Sequence, residues 1–221
     1  MAARKTPSGK ASTSSSASAA PLPPLPSDDL HKRTLDVVTL SPQEVVRISW
    51  EGEKLFWSPE PGKAPRARFD APGGEYQVPY SALNLDGAFV EALLRQEQPP
   101  ILTWSDIKQR ELFTLRLTRA IRVMPIFGPQ LRQMGATAAV ASGPYSSSRQ
   151  WSLALSQWAD ADGLLDGLLY PSRHDDTQRC LALFSRAADA IAIVSHEKLE
   201  HRRRDILALR AKYRFPLDLD A

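Results

Sequence analysis

Three polar residues carry the chemistry this chain can offer. Arg68 lies in the Pro/Gly-rich stretch "PRARFDAP", Glu91 in "LNLDGAFVEALLR", and Ser172 directly after an apolar run in "LLDGLLYPSRHDD". An arginine presents a rigid fork of N–H donors that suits a pyrophosphate. A carboxylate beside a ribose can hold its hydroxyls and stabilise positive charge growing at the anomeric carbon. A serine emerging just past a buried strand is well placed to line a cleft. Tyr76 and Tyr80 add flat faces for a ring, and Arg66 and Arg173 stand close by in sequence as further substrate-binding candidates. Residue type alone leaves a blander account open. Loop arginines and post-strand serines are common, and Glu91 also fits an ordinary solvent-facing position on the flank of a helix.

Other chemistries have less support. "SGKAS" near the N-terminus lacks the first glycine of a phosphate loop and has Ala11 where Ser or Thr should follow the lysine. In "HEKLEH", His196 and His201 are five positions apart, which does not place both on one side of a helix as the zinc-protease spacing does. No Cys/His cluster is present, so no metal site is expected. The single cysteine, Cys180 in "QRCLALF", reads as a buried apolar residue and rules out an internal disulfide. No G-x-S-x-G elbow occurs.

The elements that must position Arg68, Glu91 and Ser172 are short and mixed. "LDVVTL" and "VVRISW" read as strands or as a short helix running into a strand, with "SPQE" between them fitting a helix start. "YQVPYSAL" is extended, although Pro79 cannot donate to a ladder, so this strand must be an edge or its pairing must stop there. Leu85, Ala88, Phe89, Ala92 and Leu93 then recur at the spacing of one helical face, with Asp86 as the expected N-cap. "ILTWSDI" and "LFTLRLTRAIRVM" supply strands. Residues 128–148 read as a mobile Gly/Ser-rich loop with a short helix, and "WSLALSQWADA" is helical. The end of "LLDGLLY" is a strand, "QRCLALFSRAADAIAIV" a further helix or strand pair, and the C-terminal segment a helix. Without regular βαβ alternation, the pattern predicts a single α+β domain over residues 30–221. Residues 1–29, rich in Ser, Ala and Pro, have little to bury and are expected to be a disordered tail.

Composition sets the outer bounds. The 221 residues carry 28 Lys+Arg against 25 Asp+Glu, a net charge of +3, of which the tail supplies Arg4, Lys5 and Lys10. So small an excess does not argue for direct nucleic-acid binding. The basic segment "HRRRDILALRAKYR" keeps a non-catalytic nucleic-acid-binding module as an alternative, against a solvated helix face with interspersed acids. No apolar run approaches a membrane span and no apolar core follows the N-terminal charges, so a cytoplasmic protein without membrane attachment is expected. The Ser-rich tail leaves a transit peptide as a minor alternative.

At the three polar residues the sequence resembles the RES-domain family, named for an Arg, a Glu and a Ser. The stretches "RFDAPGGEYQVPYSAL", "AFVEALLR" and "LDGLLYPSRHDDTQRCLALF" occur in the family's order, between roughly residues 50 and 195. Arg68, Glu91 and Ser172 match the namesake residues, and Tyr80 resembles a family tyrosine of the same pocket. Arg66 stands as the competing arginine, with "RFD" favouring Arg68. The resemblance implies an α+β fold similar to ADP-ribosyltransferases and cleavage of the nicotinamide–ribose bond of NAD by phosphorolysis or hydrolysis. NAD is then a substrate rather than a cofactor, with inorganic phosphate as a candidate co-substrate. It further implies the role of a toxin neutralised by an Xre-like helix-turn-helix antitoxin. Transfer of ADP-ribose to a macromolecule is the enzymatic alternative.

Overall fold

In the computed structural model, residues 24–55, 64–95 and 101–219 are described. Eight strands form the main sheet. They are β1 (Val38–Leu40), β2 (Glu44–Trp50), β3 (Tyr80–Ala82), β4 (Arg110–Leu117), β5 (Ile121–Pro125), β6 (Gly167–Pro171), β7 (Arg179–Leu183) and β8 (Ile191–Lys198). Their order across the sheet is β1-β5-β6-β7-β3-β2-β4-β8, antiparallel except for the β5–β6 pair. Among the helices that accompany them are α1 (Leu85–Leu93), the short α2 (Trp104–Lys108), α3 (Tyr145–Gln157) and α4 (Arg203–Tyr213). This is one α+β domain.

The connection between β4 and β5 dictates the shape of the sheet. Only Thr118, Arg119 and Ala120 separate them, a reach of about 14 Å when extended. Yet β6, β7, β3 and β2 lie between these two strands in the sheet, and five strand spacings on a flat sheet span roughly 24 Å. The sheet must therefore curl back on itself. Val45, Leu115, Leu117, Ile121, Val123, Leu169, Leu181 and Leu183, drawn from both ends of the strand order, form one buried cluster inside the curl. Arg119 holds the joint with bonds to both carboxylate oxygens of Asp166, at 3.1 and 3.0 Å, and an ion pair to Asp189 at 3.1 Å. The larger cluster, with Phe69, Phe89, Ile107, Trp151, Leu155 and Phe184 fully buried, lies among the helices and the other sheet face.

Several local expectations change. β3 is interior rather than an edge, so at Pro79 the second expectation holds: pairing stops there, and the strand begins only at Tyr80. Pro79 precedes the strand, where its carbonyl, not its missing N–H, is used by Leu183 N at 3.3 Å. Asn84, not Asp86, caps α1, accepting from Gly87 N at 2.8 Å, while Asp86 pairs with Lys212. "SPQE" is not a helix start: Ser41, Pro42 and Gln43 link β1 to β2, and Glu44 already belongs to β2. Most of "ILTWSDI" is α2, which Thr103 and Asp106 start with a reciprocal capping box. The expected loop at 128–148 instead contains short helices at Pro129–Met134 and Ala139–Ser142 before α3 begins. Of the expected tail, residues 1–23 lie outside the described residues; the Pro24 carbonyl accepts from Trp151 Nε1 at 2.7 Å.

Candidate active site

β2 and β3 pair at a single position, Val46 opposite Ala82, and then part. Ladder alternation turns the Tyr80 carbonyl towards β2, where no strand partner remains. The Arg47 guanidinium fills that place, with Nη1 donating to the Tyr80 carbonyl at 3.0 Å. A cleft of about 680 Å³ opens at this parting, walled by β2, β3, α1 and the loop around Arg68. Arg66, Arg68, Tyr80, Glu91 and Arg173 all line it. Six of its lining residues are arginines, against three carboxylates (Glu53, Glu91 and Asp106), so it presents a positive surface to an anionic ligand.

Each namesake residue arrives by a different route. Glu91 sits in the last turn of α1, whose Ala88, Phe89 and Leu93 are buried behind it. Ser172 follows β6, which needs Gly167 at its start because a Cβ there would lie 2.5 Å from the Ala182 carbonyl oxygen. Pairing continues just past the strand, with Ser172 N donating to the Gln178 carbonyl at 3.1 Å. The Ser172 hydroxyl donates to Glu91 Oε1 at 2.6 Å, and the Arg173 N–H donates to the same oxygen at 3.3 Å. His174 N donates back to Ser172 Oγ at 3.3 Å. The carboxylate thus has one oxygen held by the protein and its side chain turned to the cleft.

Arg68 is held by α3 and the turn before it. Its Nη1 donates to the Gly143 carbonyl at 2.6 Å and to Ser148 Oγ at 3.2 Å, and Ser148 donates onward to the Val140 carbonyl at 2.7 Å. Tyr145 lies 4.6 Å from the guanidinium, ring centre to carbon, in cation–π range. Burial, reinforced by Arg173, pushes the Arg68 pKa down, against Tyr145 and Glu91. The loop carrying Arg68 is tied by Asp70, whose Oδ2 accepts from Arg66 N at 2.9 Å and Ala67 N at 2.6 Å. Asp70 Oδ1 accepts from the Tyr80 hydroxyl at 2.9 Å, and that hydroxyl accepts from Phe69 N at 2.9 Å. Burial and the Asp70 carboxylate raise the Tyr80 pKa well above the usual phenol value, so it stays protonated.

Tyr76 does not join this group. Its hydroxyl meets Ser152 Oγ at 2.6 Å under α3, and its ring packs edge-on against Phe184 with centres 4.9 Å apart. It is a core residue supporting the loop, because Ser152 also donates to the Phe69 carbonyl at 2.8 Å. Conversely, Arg47, Tyr170, His174 and Arg110 line the cleft although nothing in their local sequence marks them. Burial, opposed by Glu91, lowers the His174 pKa. Among the described residues, no group of His, Cys, Asp and Glu could hold a metal ion, and no helix is long and apolar enough to cross a membrane. Cys180 is buried, and its thiol pKa is pushed up by that burial. The C-terminal basic residues are partly engaged: Arg202 with Asp205 at 2.6 Å, Arg203 over the Trp104 ring and Lys212 with Asp86.

The RES-domain family profile matches residues 42–208, and the chain belongs to the RES-domain family. Among solved structures, its fold is similar to a chain of the M. tuberculosis MbcT–MbcA toxin–antitoxin complex, with a TM-score of 0.50 at 13% identity, covering 72% of this chain and 85% of that one. A comparison with curated protein sequences gives no match.

Proposed function

We propose that this protein cleaves the nicotinamide–ribose bond of NAD, acting in the cytoplasm as the toxin of a toxin–antitoxin pair. The observation that carries this reading is the 2.6 Å bond from the buried Ser172 hydroxyl to Glu91, a carboxylate that lines the same cleft as Arg68. Membership in the RES family and a fold similar to a chain of a toxin–antitoxin complex support it, and we read the parted sheet as related to that of ADP-ribosyltransferases. In this reading Arg68 grips the pyrophosphate, with Arg66 and Arg173 adding positive charge at the cleft wall. Tyr80 packs on the nicotinamide or its ribose. Glu91 holds the ribose hydroxyls and stabilises the oxocarbenium-like centre, and Ser172 fixes the carboxylate's orientation.

The C1′–N bond breaks with its electron pair leaving on neutral nicotinamide. An oxygen of phosphate or water then bonds to C1′, and a proton passes to solvent. The carboxylate acts electrostatically on a cation that exists only near the transition state, which raises the rate rather than the affinity. Incubation of the full-length chain with NAD, with and without phosphate, tests the reaction. Nicotinamide release that falls about 10²–10³-fold in Glu91→Gln is expected, and no release by the unaltered protein under either condition would overturn the reading. The antitoxin is expected to be an Xre-like helix-turn-helix protein, which co-expression and co-purification would recover.

A further inference from the structure

Tyr170 lines the cleft with a hydroxyl for which the fold has no use. It stands in β6 two positions before Ser172, and pairing with the β7 side runs on through both. Strand alternation therefore puts the two side chains on one face of the sheet. The register identifies that face. Tyr170 lies opposite Cys180, and Cys180 opposite Ala82. All three belong to the buried cluster that also takes Ala88 and Phe89 of α1. Glu91 is two residues further along that helix, and Ser172 bonds to it. Tyr170, Ser172 and Glu91 thus approach the cleft from a common side of the sheet.

The ring of Tyr170 is held, while its hydroxyl is not. The ring centre lies 4.9 Å from that of Phe69, which is fully buried next to Arg68 in sequence. Only 5% of Tyr170 is exposed. Among the described residues its hydroxyl has no hydrogen-bond partner, and it is not sealed from solvent as the unpartnered Ser49 Oγ is. The part of Tyr170 that meets the cleft therefore includes its polar end. Tyr80 differs, because its hydroxyl is spent on Asp70 and Phe69 N. Burial first, then Cys180 and Glu91, hold the Tyr170 pKa well above the usual phenol value, so the hydroxyl keeps its proton and can donate. Ser172 and the Arg173 N–H both bond to Glu91 Oε1, and the carboxylate can still accept from a ligand. A phosphoryl oxygen has no proton to give Glu91 and is repelled by its charge, whereas vicinal hydroxyls can donate to the carboxylate and accept from the phenol. We propose that Tyr170 Oη donates to one hydroxyl of a ribosyl group whose neighbouring hydroxyl donates to Glu91, making Tyr170 a substrate-binding residue of this cleft. The ribosyl assignment rests on the role proposed above for Glu91.

Calorimetric titration of the full-length chain with ADP-ribose and with ADP tests this, because ADP lacks the second ribosyl group and neither ligand needs turnover. Tyr170→Phe removes the hydroxyl alone. It should weaken ADP-ribose binding about fivefold, as for loss of one neutral hydrogen bond, and leave ADP binding unchanged. Its melting temperature should stay within about 3 °C of the unaltered protein's, since no partner within the protein is stripped. A second arm needs no variant: ADP-ribose lacking either the 2-hydroxyl or the 3-hydroxyl of its terminal ribose should bind the unaltered protein more weakly than ADP-ribose itself. ADP-ribose binding that is unaltered in folded Tyr170→Phe, an equal loss for ADP, full affinity for either deoxy form, or no ADP-ribose binding by the unaltered protein overturns the proposal. Selective loss of ADP-ribose binding in Tyr170→Phe, with no nicotinamide ever released from NAD, keeps the ribosyl contact and removes the enzymatic reading. Nicotinamide release with ADP-ribose binding indifferent to Tyr170→Phe does the reverse.

Discussion

Ser172 and Glu91 lie 81 positions apart in sequence, yet the serine hydroxyl donates to Glu91 Oε1 at 2.6 Å. The bond fixes the carboxylate on a helix whose opposite face is anchored in the core. Glu91→Gln keeps an acceptor for Ser172 but removes the charge. Nicotinamide release should fall about 10²–10³-fold in kcat, the usual cost of losing one preorganised electrostatic group. Melting should shift by no more than about 3 °C, within the effect of 1 kcal/mol on a chain of this size. Initial rates and a thermal melt check both.

Ser172→Ala leaves the charge and removes its orientation. A hydrogen bond to a charged group contributes about 1.5–3 kcal/mol, so kcat should drop about 10–100-fold. KM for NAD should change less than about threefold, because Ser172 acts through Glu91 rather than by gripping the substrate. A rise in KM alone would contradict that role.

Arg68→Lys tests the fork against the bare charge. A lysine cannot donate to Gly143 and Ser148 and still present a planar edge to the cleft. KM for NAD should rise about tenfold, and further in Arg68→Gln. A KM in Arg68→Lys equal to that of the unaltered protein would show that the charge alone does the binding, and an unchanged KM in both variants would assign the binding to Arg66.

Tyr80→Phe should cost stability as well as activity. Its hydroxyl both donates to Asp70 and accepts from Phe69 N, so the change strips two partners at once. A loss of about 2 kcal/mol is expected, lowering Tm by about 4–8 °C. Combined with Asp70→Asn the losses should be clearly non-additive, since both residues belong to one hydrogen-bond network.

His174 supplies a pH signature. Burial lowers its pKa below the usual 6.5, so as pH falls from 6.5 the unfolded chain takes up the proton first. Stability therefore declines from about pH 6.5 down through the folded-state pKa, and gains nothing further above 6.5. Urea melts of His174→Gln between pH 5 and 7.5 should show a shallower acid-side decline than those of the unaltered protein.

What the sequence revealed follows from which signals are local. The stripe of α1 and the alternation of β4 are periodic, and both appear in the structure. The N-cap was misplaced by two residues because Asn84 and Asp86 are both capable caps, and only the direction of the backbone at Asn84 decides between them. α2 was hidden because five residues are too few to display a helical period. Tyr76 and Tyr80 look alike in "EYQVPY", yet the extended chain between them sends one under α3 and the other to the cleft. Arg47 and Arg110 were invisible for another reason. Each occupies a strand position that reads as ordinary alternation, and its role arises only from two strands separating. The serines of α3 likewise look solvent-facing, but Ser148 and Ser152 are buried beneath the loop they hold.

The parting of β2 from β3 makes the sheet, in mechanical terms, two plates pinned at Val46 and Ala82 on one side and closed by the β4–β5 link on the other, with the Arg47 side chain as a strut across the gap. Glu91 and Ser172 belong to one plate, and Arg110 to the other. A molecule that touches both plates braces the gap at the one place where the ladder between them is missing.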